Sequence, residues 1–159
     1  MLALACARHG LRMTTFSSDQ VFDGGVDVPY VESSPVAPLN VYGHSQAQAE
    51  RRVLDAASDT LVIRTSACFS PWDERHFVGQ ALAALAQGDA FAAAADTRVS
   101  PTYLPDLVDA CLDLLIDGEA GVWHLTNATA RSLCRALKAG RGASRSSSRR
   151  GTARNSTHG

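Results

Sequence analysis

The chain has 159 residues and a formal charge of −1, long enough to bury one core and within the usual span of a single domain. The near-neutral total joins two unlike parts: residues 1–119 hold 7 Arg against 16 Asp and Glu, whereas residues 120–159 hold 8 Arg or Lys and no acid. An acidic body lacks the basic footprint that displaces counterions from phosphates, which argues against a nucleic-acid partner.

The first ten residues, "MLALACARHG", carry a short apolar run with no basic segment before it and Arg8 directly after it. This fails as a signal peptide and is too short to span a bilayer, so a cytoplasmic protein without a membrane partner is expected. The run reads as the last turns of a helix closed by Gly10. "LRMTTFSS" then reads as a buried strand ending near Ser17 and Ser18. Residues 23–39, with three prolines among glycines and serines, read as a surface loop. A helix is expected from about Asn40, its N-cap, to Ala57, with Ala49, Val53, Leu54 and Ala56 on the apolar side. "TLVIRTSA" (60–67) is the next buried strand, and a second helix runs from about Glu74 to Gln87 before Gly88.

The clearest helix is 104–117. Leu104, Leu107, Val108, Cys111, Leu112 and Leu115 recur at helical spacing, Pro105 suits the first turn, and Asp106 and Asp109 suit the positive end. Gly118 ends it, and "GVWHLTN" (121–127) forms a short strand in which His124 is a structural residue. Alternating strands and helices predict an α/β fold with a mainly parallel sheet. Cys6, Cys68, Cys111 and Cys134 lie far apart with no histidine at ligand spacing, so reduced structural thiols and no metal are expected. Residues 139–159 contain no Leu, Ile, Val, Phe, Trp or Met; such a tail cannot offset its ordering entropy and is expected to be disordered. The same compositional break is what a shifted reading frame would produce.

Four stretches carry the chemistry: "SSDQVFDG" (17–24), "PLNVYGHSQAQAE" (38–50), "VIRTSACFSPWDERHFV" (62–78) and "SPTYLPDL" (100–107). In this order, over residues 1–127, they resemble the dTDP-4-dehydrorhamnose reductase family of extended short-chain dehydrogenases. The resemblance implies an incomplete Rossmann-like parallel sheet, the C-terminal part of the fold with a small substrate-binding portion. Residues 1–137 would be a partial NAD(P)-binding and sugar-nucleotide-binding domain and 138–159 a disordered basic tail. The implied reaction is reduction of a 4-keto group on a nucleotide-activated deoxysugar by NADPH or NADH.

Carried over position by position, the resemblance makes Ser18 the hydroxyl on the keto oxygen and Tyr42 the general acid. Gln46 stands where the family has lysine, and Ser17, Tyr42 and Gln46 are the implied cofactor contacts. Thr65, Ser66, Trp72, His76 and Thr102 would line the substrate site, with Asp106 beside them. An alkoxide forming on the sugar needs a proton donor and a hydrogen-bond donor within about 3 Å. Tyrosine, with an ordinary pKa of about 10, needs a cation beside it to donate efficiently near neutrality. Gln46 reaches from the same helical face but brings no charge, and the chain's only lysine is Lys138. Gln20 replaces a frequent aromatic of the family, Ala49 a glycine and His76 an asparagine. No Gly-x-x-Gly-x-x-Gly turn for a cofactor pyrophosphate occurs, so the expectation is that an N-terminal half is missing, supplied by another chain or a longer gene product, with a homo-oligomer as the other possible partner.

Taken singly, these residues have plainer roles: Ser18 in a turn, Tyr42 on a helix surface, Arg64 as partner to a nearby acid, and Thr65, Ser66, Trp72, His76, Thr102 and Asp106 in capping and packing. The alternative function is a non-catalytic sugar-nucleotide-binding or regulatory module, or an inactive gene fragment.

Overall fold

A computed structural model describes residues 2–70, 72, 76–92, 98–127 and 131–132. In chain order the elements are α1 (Leu2–Arg8), β1 (Thr14–Ser18), a 3-10 turn (Asp19–Val21), α2 (Val41–Ala56), β2 (Leu61–Thr65), β3 (Cys68–Phe69), α3 (Phe77–Gln87), β4 (Arg98–Val99), β5 (Thr102–Tyr103), α4 (Leu104–Ile116), β6 (Gly121–His124) and β7 (Arg131–Ser132). They fall into two units, residues 1–70 with 101–128, and residues 71–100 with 129–159.

The first unit is built on a parallel sheet ordered β1-β2-β6, as the alternation of strands and helices predicts. β2 reads Leu-Val-Ile-Arg-Thr, and its first three residues are fully buried, because a central parallel strand is covered on both faces. The faces differ. On one, Leu61 and Ile63 pack against Leu107 and Cys111 of α4, with Leu114, Leu115, Trp123 and Leu125 around them. On the other, the register sets Ser17, Arg64 and His124 side by side across the three strands, and this polar row meets α2.

Local signals set the helix ends. Asn40 Oδ1 accepts the Gly43 N–H at 2.7 Å, the expected N-cap of α2. Gly10 turns the chain after α1 with φ +62°, a conformation open to glycine at no steric cost. The Arg12 guanidinium donates to the carbonyls of Leu115 and Glu119, holding a cation at the negative end of α4. β3 and β5 form a two-residue parallel pair, with the Phe69 and Tyr103 rings 5.5 Å apart.

In the second unit α3 is N-capped by His76, whose Nδ1 accepts the Gly79 N–H at 2.9 Å, and is closed by left-handed Gly88. The Phe77 and Phe91 rings meet edge to face at 5.1 Å, and β4 pairs antiparallel with β7.

Three expectations are corrected. On α4 the apolar stripe is narrower than its periodicity: Leu107 and Cys111 are buried, whereas Leu104, Val108 and Leu112 are exposed, because the helix rests on Leu61 and Ile63 with only one face. On α2 Ala49 is exposed and the buried positions are Gly43 and Glu50, since this helix docks on a polar row. The strand expected over 121–127 ends at His124, where Leu125 N–H turns to the Arg64 carbonyl and Asn127 to the Tyr103 N–H. Cys6, Cys68 and Cys111 are free thiols. Cys134, the expected 137/138 boundary and the basic tail lie outside the described residues. Among those residues no helix is long and apolar enough to cross a membrane.

Candidate functional site

Ser18 ends β1 and caps the 3-10 turn: its Oγ accepts the Gln20 N–H at 3.2 Å and donates to Asp19 Oδ1 at 3.0 Å. Asp19 Oδ2 accepts the Ser66 hydroxyl, so one carboxylate gathers two hydroxyls from the carboxyl ends of β1 and β2. The carboxyl ends of parallel strands are where ligands of such sheets bind.

α2 brings its N-terminus against this turn. A Cβ on Gly43 would lie 2.1 Å from the Gln20 carbonyl oxygen and 3.0 Å from Pro38 Cβ, so only glycine permits the approach. Asn40 Nδ2 donates to Gln20 Oε1 at 2.8 Å, a bond that an aromatic at position 20 cannot accept. Tyr42, the second residue of α2, is half-exposed, and Gln46 one turn on is half-buried. Glu50, a further turn along the same face, is buried at 5% exposure.

Glu50 is the hub of the polar face. Its Oε1 accepts the Ser17 hydroxyl at 2.5 Å and Arg64 Nε at 2.9 Å, and its Oε2 accepts Arg64 Nη2 at 2.7 Å. This paired, forked geometry is the strong form of the arginine–carboxylate bond. Arg64 Nη1 donates to the Glu32 carbonyl at 3.4 Å and lies 3.3 Å from His124 Nε2, while the guanidinium carbon stands 5.1 Å over the Phe22 ring. A guanidinium only donates, so His124 faces it with an unprotonated Nε2. Burial is the main cause of the lowered His124 pKa; Arg64 acts in the same direction and Glu32 against it. The peptide N–H of Glu32 itself, and then the His124 backbone N–H that Glu32 accepts at 3.0 Å, hold the Glu32 carboxyl below the usual range. Glu32 and the stacked Phe22 and Tyr30 rings, 4.2 Å apart, pin the 22–39 loop to the sheet.

The sequence-expected residues thus separate. Ser17, Ser18, Tyr42, Gln46, Thr65, Ser66 and Thr102 belong to the first unit, and Trp72 and His76 to the second. Ser17 gives its hydroxyl to Glu50, and Thr65 Oγ1 lies 3.6 Å from Cys68 Sγ. Thr102 is buried and its N–H donates to the carbonyl of Ala67, a left-handed alanine with φ +42°. Such a backbone costs on the order of 1–3 kcal/mol outside glycine and gathers at functional sites. Trp72 is exposed, and His76 caps α3. Asp106 Oδ2 accepts Asn127 Nδ2 at 2.8 Å and lines, with Thr102, His124, Thr126 and Asn127, an open depression of about 220 Å³.

Sequence reasoning missed Asp19 and Glu50. The signal for Glu50 was available: Arg64 is a charge inside a buried strand and requires a partner, and Glu50 continues the face of Tyr42 and Gln46.

Three helix N-termini are poorly set for a phosphate. The N-terminal amides at Gly43 of α2 and Gly79 of α3 are taken by Asn40 and His76, and α4 places Asp106 in its first turn, which repels an anion.

Comparison with known proteins gives a consistent set. A family described as the RmlD substrate binding domain matches residues 1–141. The dTDP-4-dehydrorhamnose reductase of Mycolicibacterium smegmatis is 39% identical over 131 residues, 80% of this chain and 39% of that protein. A probable dTDP-4,6-dihydroxy-2-methyloxan-3-one 4-ketoreductase of Streptomyces antibioticus is 36% identical over 76% of this chain and 40% of its own length. Among solved structures, the dTDP-4-dehydrorhamnose reductase of Bacillus anthracis in complex with NADP superposes with a TM-score of 0.84 at 26% identity, over 91% of this chain and 51% of that one. The chain spans about two fifths of the length of the curated relatives it matches.

Proposed function

The chain belongs to the RmlD substrate binding domain family, and from that membership we propose that it carries the keto-oxygen end of a nucleotide-sugar 4-ketoreductase. The observation that carries the reading is the continuous stripe Tyr42, Gln46, Glu50 on α2, tied at its buried end to Ser17, the neighbour of Ser18. Ser18 turns its hydroxyl from Asp19 to the sugar oxygen, and Tyr42 donates the proton as negative charge develops there. Gln46 orients the tyrosine or a ribose hydroxyl without stabilising a phenolate, so this chain's proton transfer is slow compared with a lysine-bearing relative.

A nicotinamide cofactor, when bound, supplies the hydride. The described residues do not fit its pyrophosphate: no Gly-x-x-Gly-x-x-Gly turn joins a strand to a helix, one N-terminal amide of α2 and one of α3 are engaged by Asn40 and His76, and the part of the reductase that holds the cofactor is a different polypeptide segment. Its place is the open side of β1: that strand pairs only with β2 among the described residues. In the row Phe16–Ile63–Trp123, α4 covers the last two and leaves Phe16 52% exposed, a bare face that parallel sheets do not normally keep.

The test is complementation. The chain is joined to the glycine-rich N-terminal segment of the Mycolicibacterium smegmatis reductase and assayed for NADPH oxidation with a dTDP-4-keto-6-deoxysugar. Measurable turnover that rises about 10²-fold or more in Gln46→Lys is expected. Saturable binding of the dTDP-sugar with no oxidation in either form would establish a binding module instead.

A further inference from the structure

The register of the sheet puts Ser17, Arg64 and His124 in one row, and α2 lies on that row through a single carboxylate. Glu50 accepts three hydrogen bonds at once: one from β1 through Ser17 and two from β2 through the Arg64 fork. The fork is itself held from behind, since Arg64 Nη1 reaches the Glu32 carbonyl and His124 Nε2 and the guanidinium covers Phe22. All three donors or acceptors are buried, with Ser17, Glu50 and Arg64 at 6%, 5% and 6% exposure.

A node of this kind is poorly suited to adding stability, because a buried ion pair gains little over apolar residues of the same volume. It is well suited to setting geometry. An apolar contact tolerates sliding and rotation of a helix, whereas two oxygens bound by a planar fork and a hydroxyl fix both. Two turns up the same face stands Tyr42, and one residue along the strand from Ser17 stands Ser18.

We infer that Glu50 is a positioning residue, whose carboxylate sets the place of Tyr42 relative to Ser18 by locking α2 to β1 and β2. The catalytic meaning of that distance rests on the proposed reductase reading; the lock itself does not.

The experiment uses the full chain with ring-carbon-labelled tyrosine, which has three reporters: Tyr42 on α2, Tyr103 in β5, and Tyr30 in the loop. Two variants are measured by NMR and thermal melt. Ser17→Ala cuts only the link to β1 and leaves no charge unpaired. The pair Glu50→Leu with Arg64→Met removes the fork while keeping volume. The expected result is a cooperative melt in both, with the Tyr42 ring signal displaced beyond its linewidth or split, more in the double variant, and the Tyr103 signal unmoved. Folded variants in which the Tyr42 signal stays in place would overturn the inference. In the complemented reductase the same variants should lower kcat by about 10²-fold, the scale of a 1 Å misplacement, with KM for the dTDP-sugar within about threefold. A parent with no turnover would sink the reductase reading, and the ring signals would still decide the role of Glu50.

Discussion

Helices α2 and α4 cover the same central strand from opposite sides by opposite means. α4 meets β2 through Leu107 and Cys111 on Leu61 and Ile63, a contact whose strength scales with apolar area and whose partners are exchangeable. α2 meets it through Glu50 on Arg64, with Ser17 beside them. The alternation of side chains along five residues of β2 gives one face to Leu61 and Ile63 and sets the charged Arg64 beside Val62 on the other. The charged face belongs to the helix that carries the candidate acid, where position matters more than adhesion.

The contrast can be broken most forcefully at Glu50. Glu50→Ala leaves the Arg64 guanidinium buried without a carboxylate and should cost about 3–5 kcal/mol in denaturant unfolding, whereas Glu50→Leu with Arg64→Met should cost far less. Equal losses in the two would mean that the node is a stability element after all. On the apolar face Leu107→Ala should cost about 2–4 kcal/mol through lost transfer and the cavity left behind, and unlike changes at Glu50 it should not move the Tyr42 ring signal.

Much of this difference was legible beforehand, though unevenly. The order of the three longer strands and the helices followed from periodicity and from Gly10, Asn40 and Gly88, because these act locally, whereas the two-residue strands β3, β4, β5 and β7 did not. The width of the buried face on α4 did not, since periodicity reports a helix's potential contact and not how much sheet lies beneath it. α2 was the harder case: its apolar residues pointed to Ala49, whereas its docking depends on a carboxylate whose partner lies in the next strand. The resemblance points to Ser18 and Tyr42 as candidates, yet nothing in the linear motif gives the hydroxyl of Ser17 to Glu50 or that of Ser66 to Asp19.

A smaller effect sharpens the contrast at the N-terminus of α2. Gly43→Ala forces the helix from the Gln20 carbonyl, now 2.1 Å from the added carbon, and should cost about 1–3 kcal/mol while shifting Tyr42 without touching Glu50. Smallest is the pH response of the polar row. His124 is held neutral in the fold, chiefly by burial, with its pKa lowered, while the unfolded chain takes up the proton near pH 6.5. The unfolded state therefore binds more protons, and the stability linked to His124 is complete above about pH 6.5 and lost as pH falls through the lowered folded value. Melts at pH 8 and pH 5.5 should show the parent losing more than His124→Asn; identical losses would remove His124 from the row's energetics.

The proposed function divides the reductase site: an oxygen-binding and proton-donating end in these residues and a cofactor cradle in another segment. It is tested most directly by titrating the purified 159-residue chain with NADPH and following nicotinamide fluorescence. No saturable change at micromolar concentrations is expected. Saturable micromolar binding by this chain alone would contradict it.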